Sequence, residues 1–146
     1  MERLEYSVVP AELKHVPIVV EIARQDIELL GWVPKAVFAE AVAHDHLMVA
    51  TDGKKVYGFI EFGGTTKDKW TIYKIATALP ARNKGVGKAL INALCLKARE
   101  HGAGLRLKVT EDNAVAIDFY QRNGFSIMSV EPSKVRNVLV MEKACN

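Results

Sequence analysis

The amino-acid sequence predicts an α/β (α+β) fold, in which a mixed central β-sheet of about seven strands carries about four helices on its faces. The hydrophobic period switches between that of strands and that of helices, in the order strand, two helices, three strands, helix, strand, helix, two strands. A run of neighbouring strands followed by alternating strand and helix is typical of a mixed sheet. The 146 residues are 49% apolar and 25% charged, so we expect a single globular domain over residues 1–146.

The first elements are a strand and two helices. Residues 3–9 alternate in polarity enough to form a strand. Pro17 fits the first turn of a helix, where a missing N–H group costs nothing, and Gly31 ends that helix. Pro34 opens a second helix, which runs through Val42. The apolar stripe of the first helix consists of Val19, Ala23, Ile27 and Leu30.

Three strands are expected in the middle of the chain, at residues 47–50, 56–62 and 70–76. Asp52 and Gly53 separate the first two strands. An Asp-Gly pair between apolar runs indicates a tight hairpin, because both residues tolerate a positive φ. The third strand is rich in aromatic and β-branched residues, which favour β-structure.

The second half of the chain alternates helices and strands. Residues 85–101 are predicted to form a long amphipathic helix, which Gly102 ends. The remaining elements are a strand at 105–109, a helix at 113–121, and two closing strands at 125–130 and 135–141.

Composition and charge exclude several classes of protein. Lys and Arg number 20 and Asp and Glu 17, and the net charge of +3 is too small to indicate nucleic-acid binding. No apolar run approaches the roughly 20 residues that a membrane helix needs, and residues 1–5 are not typical of a signal peptide. Cys95 and Cys145 are too few for a disulfide framework, so we expect a cytoplasmic protein in which Cys95 is a buried core residue.

The segment from Arg82 to Lys88 joins a strand to a helix and reads Arg-Asn-Lys-Gly-Val-Gly-Lys. Glycines let backbone N–H groups approach an anion, and the helix N-terminus and the cationic side chains add positive charge. The segment therefore predicts a phosphate or pyrophosphate site. A Walker A loop is excluded because Ala89 follows Lys88, and the dinucleotide fingerprint because Leu90 stands at its third glycine. A glycine-rich turn with solvated lysines is the alternative.

A second pattern lies in the predicted helix at 113–121. Asn113, Ala116 and Tyr120 are spaced i, i+3 and i+7, which places them on one stripe of the helix. The asparagine caps the helix and offers an amide to a ligand, the alanine lets a chain pass close by, and the tyrosine adds a phenol. An amphipathic helix with Phe119 and Tyr120 in the core is the alternative.

These two patterns, the second followed by Gly124-Phe125, resemble the two cofactor motifs of the GCN5-related N-acetyltransferase (GNAT) superfamily. The element order matches that fold along nearly the whole chain. The resemblance implies that acetyl-CoA lies in a cleft where two parallel strands splay apart, with its pantetheine arm on a strand end and its pyrophosphate on the turn. Phe119 or Arg122 would lie near the adenine. The cofactor-binding residues so implied are Ile75, Ala76, Thr77, Arg82, Asn83, Lys84, Gly85, Val86, Gly87, Lys88, Asn113, Ala116, Phe119 and Tyr120.

The resemblance also implies direct transfer of an acetyl group to a primary amine. A backbone N–H near Ile75 would stabilise the oxyanion, and Tyr120 would protonate the leaving thiolate. Because an alkylamine is protonated at neutral pH, a general base is expected, but the strand at 70–76 lacks the carboxylate that the family often has there. Glu61 on the preceding strand is the candidate base, with an exposed strand carboxylate as the alternative. Tyr73 either positions a water molecule or belongs to the core.

The acceptor amine is left open between a small molecule and a peptide or protein. In this superfamily the segments corresponding to residues 30–33 and 63–69 commonly wall the acceptor side, and Trp32 is either part of that wall or an anchor for its loop. His44 and His46 have no third ligand nearby, so we expect polar loop residues and no metal.

Two other interpretations assign the protein a binding function without catalysis. A catalytically inactive acyl-CoA-binding sensor or interaction module is the first alternative, and the missing strand carboxylate motivates it. A nucleic-acid binder that uses the basic turn is a third interpretation. A homodimer through the closing strands is compatible with the sequence.

Overall fold

The computed structural model describes residues 4–26 and 30–146. The strands are β1 (Ser7–Pro10), β2 (Leu47–Thr51), β3 (Val56–Gly63), β4 (Lys69–Thr77), β5 (Gly104–Thr110), β6 (Ser126–Glu131) and β7 (Val138–Lys143). The helices are α1 (Val16–Gln25), α2 (Lys35–Ala43), α3 (Val86–Glu100) and α4 (Ala114–Arg122), with 3₁₀ turns at Leu13–His15 and Leu79–Ala81. The predicted order of elements is confirmed for the described residues. None of the described helices is long and apolar enough to cross a membrane.

The strands form one mixed sheet in the order β1-β2-β3-β4-β5-β7-β6. Antiparallel ladders join β1 to β2, β2 to β3, β5 to β7 and β6 to β7. The ladder between β4 and β5 is parallel and joins residues 69–71 to residues 104–106. β4 then continues to Thr77 and β5 to Thr110. The predicted mixed sheet of about seven strands is therefore confirmed.

The chain divides into two compact units, residues 1–63 with 73–94 and residues 64–72 with 95–146. In the first unit, α1 and α2 pack against β2 and β3 through one apolar cluster. Phe38 and Phe59 meet edge to face at its centre, with ring centroids 5.3 Å apart. The cluster includes Val16, Val19, Ile22, Phe38, Leu47, Val49 and Phe59.

The second unit is built on the antiparallel pairs of β5, β6 and β7. Leu105, Leu107 and Met141 are buried there. Cys95 is also buried, as predicted, but it forms a disulfide with Cys145. The bond ties α3 to residue 145, and it was not predicted, because no local pattern around either cysteine indicates a partner 50 residues away.

Three element boundaries differ from the prediction by three residues or more, and for β1 and β7 the cause is strand pairing. β1 begins at Ser7 because that residue pairs with Thr51, the last residue of β2. β7 begins at Val138, which is paired with the last residues of both β5 and β6. α1 ends at Gln25 and not at Leu30, and the predicted stripe position Ile27 lies outside the described residues.

Candidate functional site

The turn between β4 and α3 has the local geometry of an anion site. Asn83 and Gly85 adopt positive φ angles of 63° and 81°, which glycine reaches freely and asparagine tolerates. The chain enters α3 at Val86, and the Ala89 N–H donates to the Gly85 carbonyl at 3.0 Å. The earlier N–H groups of the turn have no acceptor within the helix. These N–H groups and the positive end of the helix dipole lie together at the N-terminus of α3, where an anion can bind.

Among the three cationic side chains of this turn, Arg82 differs from the two lysines. Its Nη2 donates to Asp26 Oδ1 at 2.6 Å, and its Nε donates to the Thr77 carbonyl at 3.2 Å. Lys84 and Lys88 are exposed. Arg82 therefore holds the end of β4 to the end of α1, and its contact with pyrophosphate stays a prediction.

A second hydrogen bond attaches α1 to the same turn. Gln25 Oε1 accepts from the Leu79 N–H at 3.0 Å, one residue before the Asp26 contact. Sequence reasoning missed both Gln25 and Asp26, because a polar pair at the end of a helix is too common to indicate a distant partner. The end of α1 and the turn are thus fixed together at two points.

β3 packs closely against the two elements that the turn joins, β4 and α3. A Cβ atom on Gly58 of β3 would lie 2.8 Å from the Ala76 carbonyl oxygen and 3.0 Å from a Val86 methyl carbon. Only glycine lets β3 approach both the end of β4 and the first turn of α3 this closely. Ala76 is buried, and its neighbours Ile75 and Thr77, also predicted to bind the cofactor, are partly buried.

Glu61, the predicted base, lies on β3 opposite Leu47 of β2 and is only 8% exposed. Its Oε1 accepts from Lys74 Nζ at 3.0 Å. The alternative of an exposed strand carboxylate is therefore wrong. Lys74 is a neighbour that sequence reasoning missed, because the two residues belong to different strands.

A cavity of about 190 Å³ lies beside this ion pair, and Glu61 lines it. Tyr73 lines the same cavity and is 53% exposed, so its alternative placement in the core is wrong. The Tyr73 ring lies over Gly63, where a Cβ atom would come within 2.5 Å of it. His44, His46 and Glu40 complete the polar lining. The structure thus joins the two residues weighed for amine deprotonation in one cavity.

Each of the two histidines has a contact with a neighbouring residue. His44 Nδ1 donates to the Glu40 carbonyl at 2.9 Å, and the His46 ring packs on Phe62 with centroids 5.4 Å apart. Among the described residues, no group of three or more His, Cys, Asp or Glu side chains is arranged to hold a metal ion. The expectation of no metal stays a prediction.

In the second unit, α4 carries the other predicted motif. Asn113 caps the helix, as predicted, because its Oδ1 accepts from the Ala116 N–H at 3.2 Å. Ala116 is partly buried. Arg122 forms an exposed ion pair with Asp118 of the same helix at 3.0 Å.

Tyr120 is partly buried between two aromatic rings. Its ring centroid is 5.4 Å from that of Phe119 and 5.6 Å from that of Phe125, both edge to face. Burial raises the pKa of Tyr120 to about 12, because the charged phenolate is poorly solvated there. The side chain is therefore a neutral hydroxyl donor throughout the physiological pH range.

Trp32, on the predicted acceptor segment, is 70% exposed. An anchoring tryptophan would bury its ring, so the structure favours the other reading, a side chain available to a ligand. In the second predicted segment, Thr66 Oγ1 donates to the Lys69 carbonyl at 2.9 Å and closes the loop before β4.

Comparison with known proteins assigns the family. The model of the acetyltransferase (GNAT) family matches residues 17–125. A streptothricin acetyltransferase from Streptomyces lavendulae is 44% identical over 62 residues, which are 42% of this chain and 33% of that protein. The matched region is about a third of the length of the first curated relatives.

Solved structures resemble the chain over nearly its whole length. Ard1 from Thermoplasma volcanium has a TM-score of 0.83 and 27% identity, with 96% of this chain and 97% of that chain covered. PaiA N-acetyltransferase from Thermoplasma acidophilum, solved in complex with coenzyme A, has a TM-score of 0.78 and shares the fold at 17% identity, with 97% and 99% covered. The family resemblance and the fold predicted from the two motifs are confirmed, and the chain belongs to the GNAT family of acetyltransferases.

Proposed function

We propose that the protein transfers an acetyl group from acetyl-CoA to a primary amine. The observation that carries the proposal is the turn before α3, whose positive φ angles at Asn83 and Gly85 expose backbone amides at a helix N-terminus. The family assignment adds the acyl donor, because a pyrophosphate is the part of acetyl-CoA that such a turn suits.

In this proposal, the turn before α3 and the end of β4 bind the pyrophosphate and the pantetheine arm. The amides of residues 83–88 hold the pyrophosphate, with Lys84 and Lys88 adding charge. The backbone of Ile75, Ala76 and Thr77 hydrogen-bonds the pantetheine arm. Arg82 acts by holding the turn to Asp26, which its short hydrogen bond supports.

The second motif, on α4, has its own proposed roles. Asn113 offers the amide nitrogen that its capping bond leaves free for a ligand, since only Oδ1 takes part in that bond. Ala116 has a side chain small enough for a chain to pass. Phe119 lies toward the adenine end, and Tyr120 acts at the thioester sulfur.

The reaction is a direct displacement. The neutral amine attacks the thioester carbonyl carbon, and its lone pair forms the new C–N bond. A backbone N–H near Ile75 donates to the oxygen, which becomes negative in the tetrahedral intermediate. The C–S bond then breaks, and the electron pair leaves on sulfur.

The raised pKa of Tyr120 refines its role. A phenol with a pKa of about 12 holds its proton more tightly than a thiol, whose ordinary pKa is about 8.5. Tyr120 therefore acts first as a hydrogen-bond donor that stabilises the thiolate, and the thiolate takes a proton from water as CoA leaves.

The amine proton needs an acceptor, and Glu61 is the proposed base. Lys74 occupies Oε1, so Oε2 remains to accept the proton, directly or through a water molecule. Tyr73 shares the cavity with Glu61 and can orient that water. The acceptor itself is proposed as a primary amine of a small molecule, peptide or protein.

The second candidate function is an inactive acyl-CoA sensor. Its supporting observation is that β4 carries Thr71, Tyr73 and Lys74, and no carboxylate, along the described strand. A sensor would bind acetyl-CoA but would not need Tyr120.

The first experiment is a thermal-shift titration with acetyl-CoA, with ATP and NAD as controls. At 100 times its dissociation constant, acetyl-CoA should add about 2.7 kcal/mol to the free energy of unfolding. A rise for acetyl-CoA alone supports the cofactor assignment. Equal curves with and without millimolar acetyl-CoA would reject it.

The second experiment separates enzyme from sensor by an amine screen with the Tyr120→Phe variant. We expect the variant to lose about a hundredfold or more in kcat while its affinity for acetyl-CoA stays nearly unchanged. Tyr6→Phe is the matched control, because it removes the phenol of a residue that directly precedes β1 and has no role in the proposed mechanism. Equal turnover in wild type and Tyr120→Phe would remove Tyr120 from the mechanism.

A further inference from the structure

Lys74 is a primary amine that is held directly on the proposed base. It lies on β4 next to Ile75, and its Nζ donates to Glu61 Oε1 at 3.0 Å. The side chains of this ion pair are only 21% and 10% exposed. In the ion pair of Lys108 with Glu131, by contrast, the side chains are 53% and 45% exposed. The Lys74 amine is therefore largely withdrawn from bulk water and has a defined position.

This position is the one that the proposed reaction requires of an acceptor. An ammonium group has no free lone pair, so an acceptor has to give a proton to a base before it attacks. In the proposed function, Glu61 is that base, and a backbone N–H near Ile75 stabilises the oxyanion. Lys74 contacts the first group and directly precedes the second in the chain. An amine from solution has to reach the carboxylate that Lys74 already touches.

The backbone around Lys74 is fixed, whereas its side chain is not. Ala76, two residues along β4, is buried, and its carbonyl oxygen lies against Gly58 of β3, where a Cβ atom would come within 2.8 Å. The four-carbon stem of a lysine lets its Nζ move while such a backbone stays in place. A reacting group held close to its target needs no bimolecular encounter, which accelerates its reaction greatly over that of a free amine.

We propose that the protein transfers an acetyl group from acetyl-CoA to its own Lys74. The proposal rests on the proposed function, because it uses the same acyl donor and the same base. It adds a site of covalent modification within the chain, and it makes Lys74 an acceptor in addition to the partner of Glu61.

The step balances in protons and electrons. Lys74 gives one ammonium proton to Glu61, and the lone pair so freed forms the new C–N bond to the thioester carbonyl carbon. The C–S bond breaks, and its electron pair leaves on sulfur. The nitrogen then loses a second proton, which the thiolate takes through water, and Glu61 returns its proton to solvent. The products are a neutral amide at Lys74 and free CoA.

The test is to incubate wild type with isotope-labelled acetyl-CoA at neutral pH and with no added amine. Peptide mass spectrometry follows the label at each lysine, and the isotope excludes acetyl groups acquired during expression. We expect Lys74 to gain label at least about tenfold faster than Lys54, an exposed lysine of the hairpin between β2 and β3. Because the transfer is within one chain, its rate should not depend on the protein concentration.

Three variants assign the label. Lys74→Arg keeps a positive charge beside Glu61 but offers no acceptor amine, so the fast label should disappear. Lys54→Arg is the matched control and should keep it. Glu61→Gln removes the base and should slow the labelling of Lys74 by about a hundredfold. Thermal melts verify that each variant folds.

A chemical reagent separates transfer in the site from simple reactivity. The N-hydroxysuccinimide ester of acetate acylates exposed amines and needs no binding site. It should label Lys74 more slowly than Lys54, because the Lys74 amine is partly buried and paired. Faster labelling of Lys74 by this ester as well would mean that Lys74 is only a reactive amine, and it would overturn the proposal.

Three other results also overturn self-acetylation: Lys74 gains label from acetyl-CoA no faster than Lys54, Glu61→Gln labels like wild type, or the rate rises with protein concentration. Failure of the proposed function looks different. Wild type then shows no thermal shift with acetyl-CoA and acetylates no amine in the screen. A protein that passes both of those tests while Lys74 stays unlabelled contradicts self-acetylation alone.

Discussion

Tyr120 shows how one residue acquires its chemistry from its neighbours. Its ring packs edge to face on those of Phe119 and Phe125, and burial raises its pKa to about 12. An acid whose pKa is raised stays neutral to a higher pH. The hydrogen-bond donor that the proposed reaction needs is therefore present throughout the physiological pH range.

This pKa sets a prediction for pH dependence. Tyr120 should lose its proton only as the pH rises toward about 12, so kcat should not decline between about pH 8 and 10 through this group. The ultraviolet absorbance of tyrosinate, measured as the difference between wild type and Tyr120→Phe, should appear only above the ordinary tyrosine pKa of about 10. A difference spectrum already complete at pH 10 would contradict the burial argument.

Gly58 supplies a second prediction for a single residue. In Gly58→Ala, the new Cβ meets the Ala76 carbonyl, a backbone atom that cannot move aside cheaply. We expect a loss of about 1–3 kcal/mol in unfolding free energy and weaker binding of acetyl-CoA, because the end of β4 and the first turn of α3 must shift. Denaturant melts and calorimetry measure the two effects.

Ser126→Ala, at an exposed strand position, is the control for Gly58→Ala and should change neither quantity. If Gly58→Ala binds acetyl-CoA as tightly as this control does, close backbone approach is not needed at the proposed cofactor site.

At the scale of elements, the position of the turn before α3 depends on its contact with the end of α1. Gln25 and Asp26 are hydrogen-bonded to residues 54 and 56 positions later in the chain. Because both contacts come from one end of one helix, they hold α1 and the turn in a fixed relation.

Asp26→Asn tests this connection. The variant removes the charge that pairs with Arg82 in a partly buried position, so we expect the KM for acetyl-CoA to rise about tenfold with little change in kcat. The turn would lose its support, while the reacting groups would stay the same. Steady-state kinetics with the acceptor found by the amine screen measure both constants.

Glu21→Gln is the matched control on the same helix. It breaks the exposed ion pair between Arg24 and Glu21, at 3.8 Å, which should contribute little. Should Asp26→Asn and Glu21→Gln give the same KM, the pair of Arg82 and Asp26 has no part in cofactor binding.

At the scale of the molecule, the disulfide between Cys95 and Cys145 closes a loop across most of the second unit. The two cysteines are 50 residues apart in sequence. A cross-link over such a loop restricts the unfolded chain and stabilises the fold by about 4 kcal/mol in the chain-entropy model. The disulfide also leaves no free cysteine in the described chain.

The prediction is that reductant lowers the melting temperature of wild type. The double variant Cys95→Ser/Cys145→Ser should melt at a lower temperature than oxidised wild type and should not respond to reductant. Thermal melts with and without dithiothreitol make the comparison. Identical melts of wild type in the two conditions would mean that the bond does not stabilise the native state.

Much of the fold could be predicted because its signals are local. Strand and helix periods, the hairpin at Asp52-Gly53 and the capping asparagine at position 113 each depend on residues within a few positions of one another. The same holds for the two motifs that indicated the family. Boundaries were less predictable where a strand's length depends on its partner, as at Ser7 and Val138.

By itself, the sequence determined the order of elements, the mixed sheet and the family, because periodicity and motif spacing are properties of neighbouring residues. The tertiary structure decided that Glu61 is buried against Lys74, that Arg82 pairs with Asp26, and that Cys95 joins Cys145. These partners are 13, 56 and 50 residues apart, and only the folded chain brings them together. No local pattern encodes such pairs, since each depends on how strands and helices pack.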